Sequence, residues 1–124
     1  MLPPIYFSVL ARMKLPVRTF PAGTTVFSEG ERADHVFVVR EGRVTIEHGG
    51  RVLDRLGPGD IFGEMALIDS TPRSATARAE NVVEVSVLDE QTFLYLVEEM
   101  PSFALQMMRV MARRLRTMND RAAA

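Results

Sequence analysis

The sequence predicts an α+β domain: an antiparallel β-rich block, a sandwich or a barrel, followed by two helices. Three observations carry this. From Thr24 to Leu88, short alternating or β-branched runs are separated by turn residues roughly every ten positions. Gly and Pro punctuate the chain up to about residue 90, whereas beyond it stand one proline, Pro101, and no glycine. The 124 residues, 47% of them hydrophobic, suit one domain with one continuous core.

The opening, about Pro3 to Met13, reads as a short helix, because Ile5, Val9 and Met13 share one face at helical spacing. Pro16 and Pro21 then break the chain, and strand patterning starts at Thr24. Val36, Phe37 and Val38 lie in an alternating β-branched and aromatic run that ends at Arg40, and Glu41-Gly42 marks a turn. Val44 and Ile46 resume the alternation, and Gly49-Gly50 is a two-residue hairpin signal. Val52 and Leu53 lead to Leu56 and the turn Gly57-Pro58-Gly59-Asp60. Ala75 to Ala79 and Val82 to Leu88 read as two more strands. Asp89 is placed to cap a helix from about Glu90 to Glu99, and Pro101 suits the first turn of a second helix running to about Met118. The organisation is therefore one domain over 1–124, with a β block at about 15–89 and C-terminal helices at about 90–118.

Composition narrows the function. No window of about 18 apolar residues occurs, so no membrane-spanning helix is expected. The N-terminus lacks the pattern of a secretory signal, and cysteine is absent, which removes disulfides, thiolate metal sites and cysteine nucleophiles. A cytoplasmic location is the expectation. A net charge of −1 argues against direct DNA binding by this chain. His35 and His48 are the only histidines and lack ligand-spaced neighbours, so no metal site, catalytic residue or enzymatic activity is expected.

The segment from Phe62 to Thr76 departs from strand patterning. Gly63 precedes Glu64, Met65-Ala66-Leu67-Ile68 can form one helical turn, Asp69-Ser70-Thr71-Pro72 closes it, and Arg73 follows. The start of a short helix exposes backbone N–H groups, and a glycine lets an anion approach them. Arg73 offers a fork of donors matched to phosphate, and Glu64 would accept hydrogen bonds from hydroxyls beside it. A sugar phosphate or similar anion has both features. The bland alternative is a Glu64–Arg73 surface ion pair clipping a loop.

Phe62-Gly63-Glu64-Met65-Ala66-Leu67 and Pro72-Arg73-Ser74-Ala75-Thr76 resemble the phosphate-binding cassette of cyclic-nucleotide-binding domains. The spacing of nine from Glu64 to Arg73 is similar to that in protein kinase A regulatory subunits and bacterial cyclic-nucleotide-gated channels. Pro21-Ala22-Gly23, Phe27-Ser28-Glu29-Gly30, Glu41-Gly42-Arg43-Val44 and Gly57-Pro58-Gly59-Asp60 fall where that family has its turns. The resemblance implies an antiparallel jelly-roll barrel, a double-stranded β-helix. It also implies roles. Glu64 would take the ribose 2′-hydroxyl and Arg73 the cyclic phosphate. The N–H groups of Ala66 and Ser74, with the Ser74 hydroxyl, would complete the cradle, to which Phe62, Gly63 and Ala75 also belong. Ile46, Leu53 and Met65 would line the base, with plain core as the alternative for each and weightiest for Ile46. The ligand implied is cyclic AMP, with cyclic GMP as the other candidate, and no further cofactor.

In the last helix, Met111-Ala112-Arg113-Arg114-Leu115 resembles the dimer helix of the catabolite activator protein, which places Arg114 near the base edge. Met118 and Asn119 then stand where that protein has a hydroxyl pair reading adenine; Asn119 can hydrogen-bond a base and Met118 cannot. Arg109, Arg113, Arg114, Arg116 and Arg121 read as a solvated face, or as one from which a single arginine reaches a ligand or partner. Leu105, Met108, Ala112, Leu115 and Asn119 form a heptad-like stripe suited to a homodimer, whereas Phe103, Met107, Val110 and Met111 can pack on the β block.

The functional expectation is a cyclic-nucleotide-sensing regulatory module that signals by movement of the C-terminal helix to an effector protein or domain. The alternatives are the sensor half of a transcription regulator without its DNA-binding domain, or a ligand-free interaction domain of the same fold.

Overall fold

A computed structural model describes the backbone of residues 13–123 and the side chains of 13–116. The expected helix at Pro3–Met13 lies almost wholly outside these residues, as does the side chain of Asn119. The described elements are β1 (Val17–Phe20), β2 (Thr25–Phe27), β3 (His35–Glu41), β4 (Val44–His48), β5 (Arg51–Leu56), β6 (Ile61–Phe62), α1 (Glu64–Asp69), β7 (Thr76–Ala79), β8 (Val83–Asp89), α2 (Glu90–Glu99) and α3 (Pro101–Ala123).

The strands form two four-stranded antiparallel sheets, ordered β1-β8-β3-β6 and β2-β7-β4-β5. This is the jelly-roll arrangement that the family resemblance implied. Among the described residues no ladder joins the two sheets, so it is a sandwich of two faces and not a closed barrel. The Gly49-Gly50 turn has φ of 58° and 78°, as a two-residue hairpin between β4 and β5 requires. A register shift follows: Ile46 lies opposite Asp54 and Glu47 opposite Val52, which leaves Leu53 as the extra residue of a bulge.

β3 departs from the expected half-buried alternation, since Val36, Phe37, Val38 and Val39 are all buried. The physical reason is two cores. Phe37 and Val39 join Phe27, Val44, Leu56, Phe62 and Val85 between the sheets. Val36 and Val38 join Ile61, Leu88, Phe93, Leu96, Phe103, Met107 and Val110 beneath the helices. A strand covered on both faces reads as a continuous apolar run.

Local signals set the helices. The Asp89 carboxylate accepts from Thr92 N at 2.7 Å and starts α2. Pro101 opens α3 after the Met100 turn, and Phe93 meets Phe103 edge-to-face at 6.0 Å, fixing α3 against α2. α3 continues to Ala123, beyond the end expected near Met118, since Gly and Pro are absent there and Ala122-Ala123 favour helix. Among the described residues no helix is long and apolar enough to cross a membrane.

Candidate functional site

The segment after β6 is built as the sequence suggested. Gly63 takes φ 83°, a left-handed conformation that turns the chain from strand into α1. A side chain there would also place its Cβ 2.7 Å from Arg73 Nη1. Ser70, itself left-handed, ends α1, and Thr71 N donates to Ala66 O at 3.1 Å. The chain is then strapped to the β2–β3 turn by Arg73 N donating to Glu31 O and Gly30 N donating to Arg73 O, both at 2.8 Å.

Arg73 is 5% exposed. Its Nη1 donates to Gly63 O at 2.6 Å and its Nη2 to His35 O at 2.7 Å. The guanidinium carbon lies 4.1 Å from the centroid of the Phe27 ring. Nε is buried and has no partner. Burial pulls the Arg73 pKa down, against the opposing fields of Asp34, Glu31 and Glu64.

Glu64 is wholly buried. Its Oε1 accepts from Arg114 Nη1, which arrives from α3. Arg114 Nη2 donates to Ile61 O at 2.6 Å, and its Nε lies 4.0 Å from Asp54 Oδ2. Oε2 of Glu64 is buried without a partner. The reading of Glu64 and Arg73 as a surface ion pair is thus overturned: both are buried, and each is held by other groups. The solvated-face reading of the C-terminal arginines also fails at Arg114, three-quarters buried and turned toward the cassette.

Of the other expected residues, Phe62, Ala66 and Ala75 are buried around this junction. Met65 is 49% exposed, and Ser74 is exposed. Ile46 is half-buried against the inter-sheet core, and Leu53 is half-buried at the bulge. A groove of about 380 Å³ lies along the cassette between Leu67, Ser70 and Thr71 on one side and Arg32, Ala33 and Glu90 on the other. Glu64 and Arg73 do not line it, so this groove is separate from their chemistry. Sequence reasoning missed Phe27, Asp54 and the carbonyls of His35 and Ile61. Phe27 stood in a segment read only as a turn, and backbone acceptors leave no mark in a sequence.

The structure thus presents a jelly roll that carries a glycine-led cassette with a buried acid and a buried arginine. The chain belongs to the cyclic nucleotide-binding domain family, whose model matches residues 17–100. It is 34% identical over 97% of its length to a CRP-like cAMP-activated global transcriptional regulator of Mycobacterium tuberculosis, of which it covers 55%. It is 42% identical over 73% of its length to the cyclic nucleotide-gated potassium channel mll3241 of Mesorhizobium japonicum, covering 25% of that protein. The catabolite activator protein of Thermus thermophilus matches with a TM-score of 0.82 and 31% identity over 98% of this chain and 59% of that one. The chain thus spans about half the length, or less, of these relatives. Relatives of this kind are named as regulators and channels that respond to cyclic nucleotides.

Proposed function

We propose that this domain is a binding module, not an enzyme, for a cyclic nucleoside monophosphate, cyclic AMP before cyclic GMP. The observation that carries this reading is a pair of buried polar atoms left without partners at the two ends of one cassette: an acceptor, Glu64 Oε2, and a donor, Arg73 Nε. Buried polar groups are nearly always paired. A ribose hydroxyl donating to the first and a phosphate oxygen accepting from the second would pair both. The Ala66 and Ser74 N–H groups complete the cradle in this reading, and Ile46, Leu53 and Met65 face the base. The preference for cyclic AMP draws on the relative named as cAMP-activated.

Output goes through α3. Arg114 already joins that helix to the proposed ribose acceptor, so a ligand hydroxyl at Glu64 acts on the same carboxylate that holds α3. A ligand shifts such an equilibrium only through contacts that differ between the two states. The partners in this reading are a second copy of the chain along α3 and an effector, in a cytoplasmic setting. A second reading, the sensor half of a transcription regulator, is favoured by the match to 55% of the mycobacterial regulator. Sequence encoding a helix-turn-helix after residue 124 would decide for it.

Calorimetric titration with both nucleotides tests the proposal. Measurable binding is expected, weakened in Arg73→Ala by ~1.5–3 kcal/mol, the worth of a hydrogen bond to a charged group. Unchanged affinity in that variant overturns the phosphate role. Flat heats with both nucleotides overturn the binding reading in favour of a ligand-free interaction domain.

A further inference from the structure

Arg73 is a cation withdrawn from water, and such a group is costly unless something holds it. Both of its hydrogen bonds end on neutral backbone carbonyls, those of Gly63 and His35. Asp34, Glu31 and Glu64 act on it through space. The remaining contact is the face of Phe27, with the guanidinium carbon 4.1 Å from the ring centroid; the Phe37 ring is more distant at 5.8 Å. Phe27 is itself fixed, being 7% exposed and packed at 6.0 Å centroid separation against both Phe37 and Phe62. Three neutral contacts therefore define the plane of the guanidinium, and none cancels its charge. The electron-rich face of an aromatic ring attracts a cation without carrying a formal charge.

We propose that Phe27 is a positioning residue of the site: its ring seats the Arg73 guanidinium without a hydrogen-bonded ion pair and with its Nε unpartnered. A carboxylate in that seat would hold Arg73 as firmly, but an incoming phosphate would then compete with an ion pair already made. The ring holds the group without making such a pair. This inference rests on the phosphate role given to Arg73 above.

The test replaces Phe27 in the full chain with mono-, tri- and pentafluorophenylalanine and, separately, by Phe27→Leu. Fluorine draws electron density from the ring face while nearly conserving its shape. A role in packing alone would therefore leave affinity flat along the series. The expected result is a stepwise loss of cyclic AMP affinity, reaching about 3- to 30-fold at the pentafluorinated ring, with thermal unfolding little changed. A flat series overturns the proposal, even if Phe27→Leu weakens binding. In the ligand-free protein, the Arg73 Nε–H proton is expected to resonate upfield through the ring current of Phe27 and to return to its ordinary position in Phe27→Leu. If the native chain binds neither cyclic AMP nor cyclic GMP, the functional reading fails and this resonance alone judges the seat: an unshifted proton overturns it, and a shift lost in Phe27→Leu upholds it.

Discussion

Arg114 and Glu64 stand 50 positions apart in the chain and meet as a hydrogen-bonded ion pair. The pair ties the long C-terminal helix to the first residue of the cassette helix, and Arg114 extends the tie to the carbonyl of Ile61. Glu64 is wholly buried whereas Arg114 keeps a quarter of its side chain exposed, so removing the arginine strands a carboxylate. Arg114→Ala is expected to lower stability by ~3–5 kcal/mol, the cost of breaking a buried pair from one side, measured by denaturant unfolding. Adding Glu64→Gln should recover part of that loss, because a neutral amide is cheaper to leave unpaired. A loss below about 1 kcal/mol would class the contact with ordinary surface pairs.

Gly63 precedes Glu64 in the chain and lies against Arg73, and its conformation serves both. Its φ of 83° turns the strand into α1, and its missing side chain leaves room for Arg73 Nη1. Gly63→Ala carries a left-handed backbone cost of ~1–2 kcal/mol. The added methyl also stands 2.7 Å from Arg73 Nη1 and 3.3 Å from Phe27 Cε2, so Arg73 must leave its seat. The expected outcome is a modest fall in unfolding free energy together with loss of ~1.5–3 kcal/mol of cyclic AMP binding, as in Arg73→Ala. A variant that is destabilised but titrates like the native chain would show that Arg73 yields without consequence.

The limits of α2 were legible because their causes are local: Asp89 accepts from Thr92 N, and Pro101 begins the next helix. The hairpin at Gly49-Gly50 and the cassette from Phe62 to Thr76 were legible for the same reason. Less could be read where the cause lies across the fold. The double burial of β3 depends on helices some fifty residues later, and the bulge that brings Asp54 opposite Ile46 depends on strand register. The charge pattern of α3 did not say which of its crowded arginines turns inward; the resemblance alone singled out Arg114, for a base edge, and the structure turns it to Glu64. Phe27 gave no sign of its contact with Arg73, because it stood in a segment read as a turn and the contact joins residues 46 positions apart.

Asp89 couples α2 to pH. Its carboxylate lies below the ordinary aspartate range, chiefly because it accepts hydrogen bonds from the Thr92 backbone and side chain. A carboxyl depressed in the folded state contributes stability that is fully present above its unfolded value, about 3.9. That contribution is lost as the pH falls from there through the folded value. Asp89→Asn keeps an N-cap acceptor but removes the titration. The native chain should therefore lose stability below about pH 4 more steeply than Asp89→Asn, followed by unfolding midpoints as the pH is lowered. Parallel curves would show that the cap contributes nothing to the acid response.

The outer face of α3 carries the last expectation. The helix buries Phe103, Met107 and Val110 against its own domain, yet Leu105, Met108 and Leu115 are 45%, 58% and 59% exposed. With Ala112, these positions advance by three, four and three residues, the spacing of a coiled-coil seam. Covering the exposed half of each large side chain would contribute on the order of 1 kcal/mol, and a second copy of the same helix offers a matching stripe. Sedimentation over a concentration series should find the native chain dimeric. Met108→Glu combined with Leu115→Glu should make it monomeric while leaving the unfolding of the domain itself nearly unchanged, because neither residue joins the core beneath α3. A native chain that sediments as a monomer at every concentration would remove the dimer from the proposal, while the binding of a nucleotide at Glu64 and Arg73 would still stand or fall by the titration alone.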